Sequence, residues 1–192
     1  MKKTLIFTSL LFLNSLLIAD QHARSEEKMD KIIQKGDEVS SDLVKTLGKN
    51  LKARMKSEGP IGAARFCNLK AYDLTQKVGS KYGKGVSVKR ISLKYRSPAN
   101  KPEGSEKDIL LALQALQDNG VFLPKQVVQE LDQDRVKFYK PLIISKAVCL
   151  KCHGNISKSE VGSFMKEHYP EDRALGYKMG DLRGAVVVTI EK

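Results

Sequence analysis

The chain has 192 residues, 41% hydrophobic and 29% charged, enough for one closed core plus a tail, and its 14 Gly and 6 Pro are too few for a collagen-like or low-complexity chain. Its 34 Lys and Arg outnumber 22 Asp and Glu, a formal +12 that favours acidic partners or anionic surfaces without specifying a fold. Three cysteines are an odd number that a simple disulfide framework cannot use up.

The opening MKK runs into TLIFTSLLFLNSLLIA, the basic-then-apolar pattern of a secretory signal over residues 1–19, with cleavage after Ala19. The stretch is short, and Thr4, Thr8, Ser9, Asn14 and Ser15 interrupt it, so it makes a poor membrane span. Left uncleaved, it would hold the protein to the membrane. Residues 20–192 are then a single periplasmic domain. Loss of Lys2 and Lys3 leaves 32 basic against 22 acidic residues, or +10. Export argues against nucleic acid as a partner and leaves a solvated basic surface or docking to an acidic redox partner.

Residues 25–57 place Met29, Ile32, Ile33, Val39, Leu43, Leu47, Leu51 and Met55 at helical spacing, which predicts one amphipathic helix weakened at Gly36 and Gly48. Gly59 and Pro60 stop it, and Pro60 opens a second helix to about Tyr82. On that helix Ala63, Cys67, Ala71, Leu74 and Val78 share one face, so Cys67 points inward. VSVKRISL at 86–93 alternates like a strand but changes phase at Lys89 and Arg90, as a bulge would. After the turn-rich loop 95–104, Ser105 can cap a third helix ending at Gly120. QVVQEL at 126–131 and RVKFYKPLII at 135–144 read as a hairpin, 159–168 as a short helix, and AVVVTI at 185–190 as a closing strand. Helices first and antiparallel strands later predict an α+β fold.

Cys149-Leu150-Lys151-Cys152-His153 is a C-x-x-C-H sequence, the attachment signature of c-type haem. Two thiols at this spacing can add to two vinyl groups, and the adjacent imidazole can reach the iron, so His153 is the proximal-ligand candidate. The same residues admit a thioredoxin-like redox pair, a zinc site completed by Cys67, or a plain disulfide. Only haem uses the export signal, the spacing and the histidine together. For the sixth position the residues leave Cys67, Met55, Met165, Met179 and His168 open, with Cys67 equally readable as an inert buried thiol.

From about residue 30 onward the chain resembles the single-haem, PAS-like sensor domains of bacteria and cyanobacteria. The resemblance is carried by ISLKYRSPANKPE at 91–103, YKPL at 139–142, CLKCHG at 149–154 and YPEDRALGYKMGDLRGAVVV at 169–188. It implies a PAS-like antiparallel sheet flanked by helices, with long N-terminal helices and one covalently attached haem c. It also implies histidine on one side of the iron and a cysteine thiolate on the other. AARFCNLKA at 63–71 matches the helix that carries this cysteine, so the role falls to Cys67, with Met179 and His168 as alternatives. Lys94, Arg96, Tyr177 and Arg183 are candidates to contact the haem edge or its propionates.

A thiolate pushes electron density onto iron and lowers its potential relative to methionine. Reduction would weaken the Cys67 bond and free a position for nitric oxide or carbon monoxide, which suits a redox or diatomic-gas sensor signalling to a separate protein. The alternative is a small electron carrier handing electrons to a redox partner protein. No recognisable set of distal acid and base accompanies the motif, so the expectation is that the chain is not an enzyme.

Overall fold

In a computed structural model the backbone is described from Leu5 and the side chains from His22; the expected signal segment, residues 1–19, lies outside the residues described in full. Among the described residues no helix is long and apolar enough to cross a membrane. The chain divides into two compact units, Met1–Lys35 and Gly36–Lys192. In the first, exposed i,i+4 pairs link His22 to Glu26 and Glu27 to Lys31. The second carries the sheet and every cysteine.

Helix α1 spans Leu5–Ser80 and breaks at Gly59, whose φ of 68° and ψ of −167° are not helical. Only glycine adopts such a backbone without strain, and Pro60 restarts the helix because its missing N–H falls where no helical bond is needed. The segments on either side of the break return alongside each other: Lys81 Nζ and the Tyr82 hydroxyl both reach Asp42 Oδ2, at 3.2 and 3.3 Å. Their inward faces follow the expected periodicity, with Val39, Leu43, Ala63, Ala71 and Val78 buried.

Strands β1 (Val86–Ile91), β2 (Val127–Glu130), β3 (Arg135–Ile143) and β4 (Leu182–Glu191) form one antiparallel sheet in the order β1-β4-β3-β2, so the fold is α+β. β4 is central and buried on both faces, which explains its unbroken AVVV run. On one face, Ile91, Tyr139, Ala185 and Val187 pack with Leu110 of α2 (Ser105–Asp118). The other face turns Phe138 toward α1.

Three local expectations change. The register between β1 and β4 runs without interruption from Val86 opposite Ile190 to Ile91 opposite Ala185, so β1 has no bulge. The irregularity lies instead between Leu142 and Ile143, opposite the start of β4. Arg90 breaks the apolar alternation because a charged side chain occupies an inward position, not because the strand slips. Ser105 does not cap α2; the cap is Gly104, and the Glu106 carboxylate accepts from the Glu103 amide at 2.9 Å. Gly36 is a point of close approach rather than a weakness, since a Cβ there would lie 2.2 Å from Phe138 Cγ. Gly36→Ala should therefore destabilise the protein by about 1–3 kcal/mol through overpacking, despite the better helix propensity of Ala. An unchanged or raised denaturation midpoint would show that this contact can yield.

Candidate functional site

The C-x-x-C-H residues lie on one short helical turn: Ala147–Cys149 is 3-10, and α3 (Leu150–His153) follows directly. A turn this short cannot hold a geometry by its own hydrogen bonds, and the surrounding loops fix it. The 172–177 segment folds across it, with the Tyr177 amide donating to His153 O at 3.0 Å and the Gly176 amide to Gly154 O at 3.1 Å. His153 Nδ1 donates to Ala174 O at 3.0 Å, which leaves Nε2 as the nitrogen with a free lone pair. Burial, then the charges of Arg183 and Arg96, push this imidazole down to about 3. His153 is therefore a neutral ring with one aimed donor atom, the state in which histidine ligates metals.

Arg96 clamps the two loops together. Its Nε pairs with Asp172 Oδ2 at 2.8 Å, and one terminal nitrogen donates to Cys152 O at 2.7 Å and Ala174 O at 3.3 Å. Both charged side chains are nearly buried, at 11% and 5% exposure. Asp172 also accepts from the Ala174 amide at 2.8 Å, so one carboxylate orders the loop and holds the arginine. Arg96 thus supports the histidine that the sequence singled out.

Cys67 is partly buried, as are Cys149 and Cys152, and all three are free thiols. Burial raises the Cys67 thiol above its ordinary value, and the positive charges of Arg90 and Arg96 oppose the rise. Burial also raises Cys152; Arg96 opposes that rise, while Cys67 and Cys149 reinforce it. The helix carrying Cys67 thus brings this thiol into electrostatic range of the C-x-x-C-H turn, 85 residues away in sequence. Cys149 packs beside Ile144, Ala174 and Tyr177, and Cys152 beside Ala64, Ile156, Val161 and Met165.

The remaining expected residues separate into two groups. Tyr177 meets the His153 ring edge-on at 6.1 Å and lies beneath Lys94 Nζ at 4.3 Å and the Arg183 guanidinium at 5.3 Å. Lys94 also donates to Leu175 O. Met165 is a core filler at 2% exposure and Met179 is 51% exposed; Met55 is half-buried on α1. His168 stacks on Phe164 at 4.0 Å and bonds its carbonyl, beside a surface depression lined by Arg65 and Leu69. Neither His168 nor Met179 joins the bonded and charge-coupled set around His153.

Arg90 and Asp172 were not singled out from the sequence. The signal for Arg90 was present: Val86, Val88 and Arg90 share one strand face, so the residue that disrupts the pattern occupies a core-facing position. The Nε atoms of Arg90 and Arg183 are buried and have no hydrogen-bond partner among the described residues, an uncommon and costly state for a guanidinium.

Among curated proteins, none matches the chain. Among solved structures, the crystal structure of the cyanobacterial heme-protein Tll0287 matches at 25% identity with a TM-score of 0.57. The match covers 86% of this chain and 96% of that one. The model of the Tll0287-like family matches residues 15–191, a span that includes Cys67, the sheet and the whole C-x-x-C-H turn, and on that match the chain belongs to the Tll0287-like family.

Proposed function

We propose that this chain is an exported c-type haem protein of PAS-like architecture that senses redox state or a diatomic gas. Cys149 and Cys152 would hold one haem through thioether bonds, His153 would ligate the iron through Nε2, and Cys67 would supply the opposite ligand. The observation that carries this reading is His153: a neutral imidazole, fixed through Nδ1 by Ala174 O, directly after two free thiols at the attachment spacing. Its support from relatives is the likeness to a protein described as a heme-protein.

The donor set suits such a group. Imidazole and thiolate are both haem-iron ligands, and the two unpartnered guanidinium Nε atoms are what a cofactor bearing carboxylates would satisfy. When bound, haem supplies an iron that changes by one electron and exchanges an axial ligand. The protein's own residues do the rest: Ala174 O orients His153, Arg96 and Asp172 lock the loop that carries Ala174, and Arg90 and Arg96 place positive charge near Cys67. Cys67 sits on the part of α1 after Gly59, so a change at this thiol would be felt by that helix and passed from there to a separate signalling protein in the periplasm.

The second reading, a periplasmic electron carrier, draws on the basic surplus of the chain, which suits an acidic redox partner. Neither reading requires an enzyme.

Expression with cytochrome maturation factors tests both levels. The expected product is coloured, keeps its haem through denaturation and weighs one haem more than the peptide. On reduction, the sensor reading expects carbon monoxide uptake. Colourless protein with the bare peptide mass refutes haem attachment, whereas a reduced, six-coordinate protein that takes up no carbon monoxide favours the carrier.

A further inference from the structure

The charges around His153 do not balance. Arg90, Arg96 and Arg183 all act on the His153 ring, yet the carboxylate bonded into this cluster is Asp172, and Arg96 takes it. Arg183 Nη1 is spent on Ser92 Oγ at 2.7 Å and Lys94 O at 3.3 Å, and the guanidinium also meets the Tyr177 hydroxyl; all three are uncharged acceptors, and its Nε has no hydrogen-bond partner among the described residues. Arg90 has an unpaired buried Nε as well. A partly buried guanidinium whose Nε is cut off from water and which has no anion loses solvation without compensation, and the repulsion between Arg90 and Arg183 adds to that cost. Among the described residues these two cations therefore lack anions, and their free donors belong to the fork-shaped group that pairs best with a carboxylate.

We propose that Arg90 and Arg183 form a carboxylate clamp, one guanidinium for each of the two propionates of the porphyrin, and that this clamp holds haem reversibly before either thioether bond forms. The proposal rests on the haem reading above and reassigns the propionate contacts within it. Arg96 is already committed to Asp172, and Lys94 to Leu175 O and the Tyr177 face. The clamp residues come from β1 and the start of β4, neighbouring strands in the sheet, so the two guanidinium groups are set on a rigid support. A rival use of Arg90 is as counter-charge to a Cys67 thiolate, since the two interact. That use leaves Arg183 unpaired.

The test uses the full chain from a host without cytochrome maturation factors, kept reduced and titrated with hemin and with hemin dimethyl ester, whose propionates are blocked. Absorbance in the Soret region reports binding, and circular dichroism reports folding. The unaltered chain should bind the diester at least about tenfold more weakly than hemin, the scale of one lost buried charge pair. Arg90→Gln with Arg183→Gln should abolish the preference, so that the variant binds hemin no more tightly than it binds the diester. Equal binding of both ligands by the unaltered chain overturns the clamp without any variant and leaves haem binding intact. Binding of neither, by folded protein, overturns the haem reading itself. A hemin preference that persists in Arg90→Gln and disappears in Arg183→Gln overturns the paired assignment and returns Arg90 to Cys67.

Discussion

Cys67→Ala should strip the thiolate signature from the optical and paramagnetic-resonance spectra of the oxidised holoprotein and raise its midpoint potential by on the order of 0.1 V or more, within the ~0.8 V range that axial ligands command. The fold should survive. Cys67 lies on a helix face whose neighbouring turns are the small residues Ala63 and Ala71, and replacing a thiol by a methyl at such a place removes little volume and suits a helix. The structural ground for the large effect is convergence. The thiol shares its surroundings with Arg90, Arg96 and Cys152, so on the proposed ligation its removal takes away the anionic ligand of the iron. If the signature persists in the variant, another residue holds that position. Met179 at 51% exposure and His168, stacked on Phe164, could do so only after rearrangement.

Glu106→Ala should cost about 3 kcal/mol of stability, the lower end of the range for breaking a buried ion pair. The Glu106 side chain is fully buried and meets Lys137 Nζ at 2.7 Å and Lys89 Nζ at 2.9 Å, besides accepting from the Glu103 amide. The two lysines keep 17% and 32% exposure, so each can extend its ammonium toward water when the carboxylate is lost, which holds the cost down. Burial by itself would raise the Glu106 carboxyl; hydrogen bonds from Lys137, the Glu103 amide and Lys89 outweigh it and hold the group below its ordinary value. A depressed folded value contributes stability that is present above the unfolded carboxyl value of 4.5 and is lost as the pH falls through the folded value. Denaturant midpoints should therefore fall in acid for the unaltered protein, and this component should be missing in Glu106→Gln. A variant with the same acid profile would mean that other carboxylates dominate acid unfolding.

Much of the local structure was legible because its causes are local. The helix break at Gly59 and Pro60, the inward face of Ala63, Ala71 and Val78 and the short helix near 159–168 all follow from residues within a turn or two of each other. Where local rules failed, a distant partner was the reason. Lys89 and Arg90 looked like a bulge because each charge has its own long-range setting: Lys89 turns to Glu106 of α2, and Arg90 turns to the surroundings of Cys67. Gly36 looked like a flaw in a helix because Phe138, the residue that needs its missing side chain, lies about a hundred positions later.

The amino-acid sequence by itself determined the C-x-x-C-H motif, since the spacing of Cys149, Cys152 and His153 is set along the backbone, and it determined which face of its helix Cys67 occupies, since helical spacing sets that. Only the tertiary structure decided what surrounds those groups. The strand order β1-β4-β3-β2 brings Arg90 and Arg183 onto neighbouring strands, and the 172–177 loop returns to give His153 its Ala174 acceptor and Arg96 its aspartate. These arrangements bring together residues up to 93 positions apart, and no short-range pattern specifies them, because burial and charge pairing are settled only when the chain has closed around its core.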